Sequence, residues 1–228
     1  DSKNKSKISR LILTASGGPF LKKKINELKN VTPQEAIKHP NWSMGKKISI
    51  DSATMMNKGL ELIEACYLFG IHQKNIDVVI HPESIIHSCV EYMDGSMLAQ
   101  MGTPDMRTPI SFTLAYPERI KTDVQRLNLS EIKKLTFFEP DLNKYPCLQL
   151  AYNSLEIGKS APTILNAANE VAVQRFLEKK IKFLSIARIV EKTLNNSSIS
   201  SINSIKDVIE VDKESRDLAN SIIKSGSY

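Results

Sequence analysis

The spacing of apolar and polar positions changes along the chain, and the change predicts two kinds of structure. Before residue 130, short apolar runs of β type alternate with helical stretches and turns. After residue 146, apolar residues recur at three- and four-residue spacing, which is typical of amphipathic helices. The pattern predicts an α/β domain with a small sheet (1–130), a connecting region (131–146) and a C-terminal α-helical bundle (147–228).

Strands are predicted where β-type runs are bounded by turn residues. Met93-Asp94-Gly95 between two such runs predicts a hairpin, because Asp-Gly favours the tight turn that joins antiparallel strands. The predicted strands are 8–13, 47–50, 77–80, 88–92 and 96–100.

Helix starts are predicted from capping residues. Thr32-Pro33-Gln34-Glu35 has Thr at the N-cap, Pro at the first position and Glu at the third, which is a capping box. Asp51-Ser52 predicts the start of a long helix over 53–68. The other predicted helices are 106–116, 148–156, 161–179, 184–194 and 204–224.

Composition narrows the function classes. The chain has 228 residues and a formal charge of +6, which suits a phosphorylated substrate, a nucleic acid or simply a Lys-rich composition. The lysines are scattered rather than striped, so we expect no nucleic acid partner. No apolar run reaches the roughly 20 residues of a membrane span, so we expect no membrane partner. Three widely spaced cysteines, Cys66, Cys89 and Cys147, indicate reduced thiols in a reducing compartment.

The densest cluster of polar side chains lies between Ser52 and Glu61. On a helix, Asn57 and Glu61 are four residues apart and Lys58 and Glu61 three apart, so an amide, an ammonium and a carboxylate share one face. Such a set suits a polyhydroxylated anion together with a cation; a solvated face with a Lys–Glu pair is the alternative. Gly59 within this helix costs up to about 1 kcal/mol relative to Ala, so we expect a close approach to its backbone.

Two loops carry further candidates. Ser16-Gly17-Gly18 at a strand end is able to surround a phosphate with backbone N–H groups and a hydroxyl, or it is a plain turn. His39 and Trp42 lie in a loop bounded by Pro and Gly. An aromatic residue on such a loop closes a site and excludes water, although a single Trp is also a common core anchor.

Five segments, read together, carry a family resemblance. They are LTASGGPF (13–20), HPNWSMGKKISIDSATMMNKGLELIEA (39–65), HPESIIHS (81–88), GTPDMRTPI (102–110) and LNAANEVAV (165–173). They occur in family order and cover the chain nearly end to end, and the second is long and specific. The sequence resembles the 1-deoxy-D-xylulose 5-phosphate reductoisomerase family, which acts in the non-mevalonate pathway of isoprene biosynthesis.

The resemblance implies a reaction and its cofactors. Enzymes of this family rearrange 1-deoxy-D-xylulose 5-phosphate and reduce the product to 2-C-methyl-D-erythritol 4-phosphate, using NADPH and a divalent cation, Mg or Mn. The α/β domain would then be the catalytic domain, with a flap at 39–46. The implied roles are as follows: catalytic, Glu61 and Lys58; substrate binding, Ser16, His39, Trp42, Ser52, Asn57, Lys58 and Glu61; cofactor binding, Met44, Gly45 and Met106; metal, Glu61.

The sequence also departs from the family pattern. The glycine-rich nucleotide loop and the Asp-Ser-Glu metal motif of the family are absent. Asp1-Ser2-Lys3 begins like that motif, but Lys replaces Glu and the motif lies too close to Ser16. We therefore expect that the N-terminal NADPH-binding domain is missing from this chain and that the chain alone is inactive.

Partners and compartment follow from the resemblance as expectations. The family forms homodimers, and we expect the strands of 77–101 to contribute to a dimer sheet that a charge at Val79 would weaken. The expected location is the bacterial cytoplasm, or a plastid-type organelle in a eukaryote. Two other functions stay open at this point: a metal-dependent sugar-phosphate isomerase without a redox step, and a basic nucleic-acid-binding module.

Overall fold

A computed structural model of the chain describes residues 7–42 and 44–228. Asp1-Ser2-Lys3 lies outside these residues. The contacts divide the chain into two compact units. The sheet unit contains the described residues up to Ser16 together with Lys74–Pro140, and the helical unit contains Gly17–Gln73 together with Asp141–Tyr228. The helical unit thus joins residues that are distant in sequence, and the domain boundaries drawn at 130 and 146 stay a prediction.

The sheet unit is built on a four-stranded sheet in the order β2-β1-β3-β4. β1 pairs with β2 in parallel, and the other two pairings are antiparallel. β4 stands at one end of this order and every residue of it is exposed, so among the described residues this strand is an open edge of the sheet. The strands confirm the predicted sheet and hairpin, and they are β1 (Ile8–Ala15), β2 (Ile76–Ile80), β3 (Ile86–Tyr92) and β4 (Met97–Met101).

Helices account for most of the remaining structure and confirm the predicted helical C-terminal part. The sheet unit carries α4 (Arg107–Ala115) and α5 (Leu129–Ile132). The helical unit carries α1 (Pro33–Ala36), α2 (Lys46–Thr54), α3 (Met56–Phe69), α6 (Pro146–Ile157), α7 (Ala161–Leu177), α8 (Ser185–Asn196) and α9 (Ile205–Ser225). Short 3-10 helices span Ile25–Asn30 and Gln73–Asn75. None of the helices in the described ranges combines the length and apolarity needed to cross a membrane.

The capping box predicted at Thr32 is present. The Thr32 hydroxyl accepts a hydrogen bond from the Glu35 backbone N–H at 3.3 Å, and the Glu35 carboxylate accepts one from the Thr32 N–H at 2.8 Å. These two bonds satisfy groups that a helix start otherwise leaves unpaired, which explains why a helix begins here. Hydrogen bonds from the Thr32 backbone N–H and the Thr32 hydroxyl to the Glu35 carboxylate lower the pKa of that carboxyl.

The strand predicted at 47–50 is wrong, because this segment is part of α2. Ile48 and Ile50 alternate with polar residues as in a strand, but only Ile50 is buried and Ile48 is 39% exposed. Lys47 and Asp51 form an ion pair of 2.6 Å at i, i+4 spacing, which a helix permits and an extended strand does not. The helix predicted over 53–68 is correspondingly two helices, separated at Met55 by a left-handed backbone with φ of 61°.

The core of the helical unit surrounds α7. Ile164, Leu165, Ala168 and Ala172 of this helix are almost completely buried. They pack in one cluster with apolar residues of α2, α3, α6, α8 and α9. Gly59 shows how closely two of these helices approach: a Cβ there would lie 2.7 Å from the Cβ of Ala151 on α6. The close approach expected at Gly59 is thereby confirmed.

Candidate functional site

The junction between α2 and α3 sets the positions of the polar cluster. Met55 and Met56 are both buried and fix the turn between the two helices. The Thr54 hydroxyl donates to the backbone carbonyls of α2 and accepts from the Met56 N–H at 3.3 Å. Ser52 therefore lies at the end of α2, while Asn57 lies in the first turn of α3.

The first two turns of α3 bring an amide, an ammonium and a carboxylate together. Asn57 Nδ2 donates to Glu61 Oε1 at 2.8 Å, and Lys58 Nζ pairs with Glu61 Oε2. Lys58 is only 8% exposed, so the alternative of a solvated face does not describe it. A buried ammonium is costly unless it is paired, and Glu61 supplies that pairing while its own side chain stays 38% exposed. The cluster is a charged pair at the edge of the protein interior.

The Gly17–Gly18 turn packs directly against α2. A Cβ on Gly18 would lie 2.7 Å from the carbonyl oxygen of Ser52, and φ at Gly18 is 66°. Only glycine combines this backbone with this contact. The turn is therefore a close neighbour of Ser52, although the two are more than 30 positions apart in sequence.

Two residues that the sequence analysis missed hold this turn. The Tyr145 hydroxyl donates to the Gly17 carbonyl at 3.1 Å, and Lys144 Nζ donates to the Leu21 carbonyl at 2.7 Å. Burial raises the pKa of Tyr145 to about 12 and lowers the pKa of Lys144. Tyr145 directly precedes Pro146, the first residue of α6. A Tyr hydroxyl at a predicted helix start was the sequence signal that could have pointed to this contact.

His39 organises the start of the predicted flap. Its Nδ1 accepts hydrogen bonds from the backbone N–H groups of Asn41 at 3.1 Å and Trp42 at 3.0 Å. An Nδ1 that accepts carries no proton, so the neutral ring has its proton on Nε2. Burial lowers the pKa of His39, which favours this neutral form. Trp42 is half-buried, which is less than a core anchor requires.

The flap continues into the start of α2. Position 43 lies outside the described residues, and Met44 is half-buried. Gly45 is the N-cap of α2, and a Cβ placed there would meet no atom of the described residues within 4 Å. The predicted cofactor contact at Gly45 thus has open space before it.

Ser52, Asn57, Lys58 and Glu61 are thus gathered in the helical unit with the Gly17–Gly18 turn. Hydroxyl, amide and ammonium donors of this kind suit the oxygens of a phosphate dianion. Ser16 and Met106 belong to the sheet unit, and their part in the site stays a prediction.

Comparison with known proteins was made on both sequence and fold. A profile described as the DXP reductoisomerase C-terminal domain matches residues 101–218, and one described as the 1-deoxy-D-xylulose 5-phosphate reductoisomerase C-terminal domain matches residues 1–69. The chain belongs to the 1-deoxy-D-xylulose 5-phosphate reductoisomerase family. The resemblance seen in the five sequence segments is therefore confirmed.

Individual relatives agree with the family profiles. The chain is 55% identical over 222 residues to the 1-deoxy-D-xylulose 5-phosphate reductoisomerase of Desulforamulus reducens, covering 97% of this chain and 57% of that protein. The Zymomonas mobilis reductoisomerase in complex with NADPH matches with a TM-score of 0.92 and 48% identity, over 99% of this chain and 58% of that one. A DOX-P reductoisomerase in complex with NADPH, fosmidomycin and magnesium matches with a TM-score of 0.93 and 50% identity, over 97% and 57%. The chain spans little more than half the length of these relatives.

Glu61 is the residue that the family resemblance assigns to a metal. Its half-accessible carboxylate is a hard oxygen donor of the type that Mg²⁺ and Mn²⁺ prefer. Across residues 7–42 and 44–228, no three His, Cys, Asp or Glu side chains converge as a ligand set. Glu61 fits one coordination position of such an ion, and the described residues do not fill the others.

The sequence analysis also missed a buried polar contact behind α2. Asn169 Nδ2 of α7 donates to Asp51 Oδ1 at 2.9 Å, and both residues are almost completely buried. Asn169 lies in LNAANEVAV, where an amide interrupts an apolar run. A polar side chain on the buried face of a predicted helix was the signal for such a contact.

Proposed function

We propose that this chain supplies the phosphate subsite and one metal ligand of an NADPH-dependent 1-deoxy-D-xylulose 5-phosphate reductoisomerase. The reaction is the rearrangement and reduction of 1-deoxy-D-xylulose 5-phosphate to 2-C-methyl-D-erythritol 4-phosphate. The observation that carries the proposal is the Glu61 carboxylate, which pairs with the buried Lys58 and accepts a hydrogen bond from Asn57. In the same unit, the backbone carbonyl of Ser52 lies against Gly18. The names of the relatives and of their NADPH and magnesium complexes support it.

The phosphate would be bound by donors of three kinds. Lys58 supplies the positive charge, and its burial strengthens that attraction because water screens it little. Ser52 and Asn57 supply neutral hydrogen bonds to phosphate or hydroxyl oxygens. His39 supplies an N–H at Nε2, since its Nδ1 already accepts two backbone hydrogen bonds.

Glu61 has two roles in this proposal. Without ligands, it neutralises Lys58 and so keeps a buried ammonium in place. With substrate bound, its carboxylate would hold the divalent cation, and the Lys58 ammonium would contact the phosphate instead of Glu61. A divalent cation supplies Lewis acidity, which polarises the substrate oxygens it contacts.

The flap at 39–46 would separate the reaction from water. Trp42 and Met44 provide apolar surface on this loop, and Gly45 leaves room for the NADPH that the resemblance places there. Met106, 57% exposed at the start of α4, would border the nicotinamide. Exclusion of water protects an aldehyde and strengthens each electrostatic contact in the site.

The test uses the protein at the full length of its relatives. Glu61→Gln should lower kcat for 1-deoxy-D-xylulose 5-phosphate about a hundredfold or more, measured as NADPH oxidation, because the amide is a poor metal ligand and leaves Lys58 unpaired. Glu64→Gln on the exposed side of α3 is the matched control and should keep near-normal turnover. Near-normal turnover of Glu61→Gln would remove Glu61 from the metal site. This 228-residue chain alone should show no turnover, because the described residues offer one metal ligand.

Two further parts of the proposal concern assembly and compartment. We propose a homodimer in which the open edge of β4 joins the sheets of two copies, since unpaired strand edges are templates for pairing. We also propose a cytoplasmic location. All three cysteines are free, and burial raises the pKa of Cys147 to about 12, as expected of unreactive thiols in a reducing compartment. Fractionation of cells that express the protein would test this location.

A further inference from the structure

The position of Ser52 depends on the rotation of α2 about its own axis. Successive residues of an α-helix are separated by about 100°, so a rotation of the helix changes the direction in which the Ser52 side chain points. In the last six residues of α2, Ser52 is half-buried while the other five are buried. Ile50 and Ala53 join the core cluster on this side of the helix, whereas Ile48 is exposed.

A buried polar contact acts on the residue next to Ser52. Asp51 is 1% exposed and Asn169 is 0% exposed. Asp51 Oδ1 accepts from Asn169 Nδ2 at 2.9 Å, and Asp51 Oδ2 pairs with Lys47 Nζ at 2.6 Å. The two oxygens of one carboxylate thus connect α2 to α7 and to its own first turn.

The burial of the Asp51 carboxyl is unfavourable for its charged form, and its contacts work against that effect. Burial, the largest cause, raises the pKa of the Asp51 carboxyl, and Lys47 and Asn169 offset this only in part. A carboxyl whose pKa is raised in the fold adds stability when it is protonated, and that stability is lost as the pH rises through the raised pKa. Asn169 Oδ1 also has no hydrogen-bond partner among the described residues. A hydrogen-bonded buried polar contact restricts the relative arrangement of the two groups that it joins.

We propose that Asp51 and Asn169 are positioning residues for the phosphate subsite. Their carboxylate–amide contact fixes the rotation of α2 on α7 and thereby holds Ser52 beside the Gly17–Gly18 turn. The inference rests on the proposed function, because it concerns the same subsite. It adds two buried residues, which would act on the subsite through the position of Ser52.

The experiment measures the binding of inorganic phosphate to this chain by NMR titration, with thermal unfolding recorded for each variant. Asn169→Asp places two carboxylates face to face and should weaken phosphate binding about tenfold. Exchanging the two residues in Asp51→Asn/Asn169→Asp restores one carboxylate and one amide, and binding should return to within about threefold of the parent. Asn169→Ala removes the amide without adding a charge, should also weaken binding about tenfold, and serves if Asn169→Asp does not fold.

The control separates positioning from a general loss of stability. Val190→Ala in α8 removes buried apolar volume from the same unit and should lower the melting temperature without changing the phosphate affinity. Equal phosphate affinity in the Asn169 variants and the parent would overturn the inference, as would an exchange variant no better than Asn169→Asp. A loss of affinity in Val190→Ala as large as in Asn169→Ala would also overturn it. A parent chain that binds no phosphate would instead refute the proposed phosphate subsite itself.

Discussion

Gly18 and Gly95 have similar backbones and different surroundings. Both adopt a left-handed conformation, with φ of 66° and 80°. Gly95 closes the hairpin between β3 and β4, and a Cβ there would meet nothing within 4 Å in the part of the chain that the structure describes. A Cβ on Gly18 would lie 2.7 Å from Ser52 of α2. Gly95 therefore serves only its own turn, whereas Gly18 permits a contact between distant parts of the chain.

The same contrast separates the two neighbourhoods. Around Gly95, the Asp94 carboxylate accepts from the Ser96 N–H at 2.9 Å and from the Ser96 hydroxyl at 2.6 Å, so the turn is satisfied by adjacent residues. Around Gly18, the anchors are Tyr145 and Lys144, more than 120 positions away. A local turn such as that at Gly95 can be predicted from the sequence, whereas the surroundings of Gly18 depend on tertiary contacts.

The largest expected effect tests this contrast directly. Gly18→Ala should lower the free energy of unfolding by about 3 kcal/mol or more, because left-handed strain adds to a steric clash with α2. Gly95→Ala has the strain without the clash and should cost about 1–2 kcal/mol. Urea denaturation of both variants measures the difference. Equal losses would show that the contact with Ser52 carries no energetic weight.

The next effect concerns the strand that follows the Gly95 turn. Leu98 on β4 is 64% exposed, and Leu98→Lys should weaken the proposed dimer by about 2 kcal/mol if this side chain is buried there. Sedimentation would record the increase in monomer. Tyr67→Lys, at a position 67% exposed at the end of α3, is the matched control. A parent chain that is monomeric, or a Leu98 variant that dimerises like the parent, would contradict the proposed edge.

A charge at Val79 of β2 was expected to weaken the dimer, and the order of the strands now predicts how large that effect is. β2 is the other edge strand, but Ile80 already exchanges backbone hydrogen bonds of 2.8 and 2.9 Å with Phe138. Part of that edge is therefore covered within the chain, while β4 is open. A charge at Val79 should raise the monomer fraction less than Leu98→Lys does.

A smaller effect is expected at the second close approach in the helical unit. Gly59→Ala would bring two Cβ atoms within 2.7 Å, at a cost of about 1–3 kcal/mol, offset by up to about 1 kcal/mol of helix propensity. In a double-mutant cycle with Ala151→Gly, the two changes should couple by about 1 kcal/mol, because the second removes the clash. Additive losses would mean that α3 and α6 adjust freely.

The smallest effect concerns the flap. The pKa of His39 is lowered in the fold, so its contribution to stability is complete above the ordinary value of about 6.5 and is lost as the pH falls through the folded pKa. Protonation removes the acceptor at Nδ1 and should release Trp42, the single tryptophan of the chain. Its fluorescence should change below pH 6.5 in the parent and not in His39→Phe. A transition that persists in His39→Phe would assign it to another group.

The predictable parts of the fold share a local cause. The Thr32 capping box, the Asp94-Gly95 hairpin and the C-terminal helices each depend on residues within a few positions of one another. The error at 47–50 arose because alternating Ile48 and Ile50 fit either period over so short a run. The burial of Ile50 and the contacts of Asp51 with Lys47 and Asn169 favour the helix over the strand in this segment.

The sequence by itself determined most of the kinds of element, the shared face of Asn57, Lys58 and Glu61, and the family. Helical spacing and capping chemistry fix those features within one or two turns of chain, and long motifs identify relatives. Only the tertiary structure decided that Gly18 packs on Ser52, that Tyr145 holds Gly17 and that Asn169 contacts Asp51. These contacts join residues 34 to 128 positions apart, and they form because packing the helices around α7 brings those segments together.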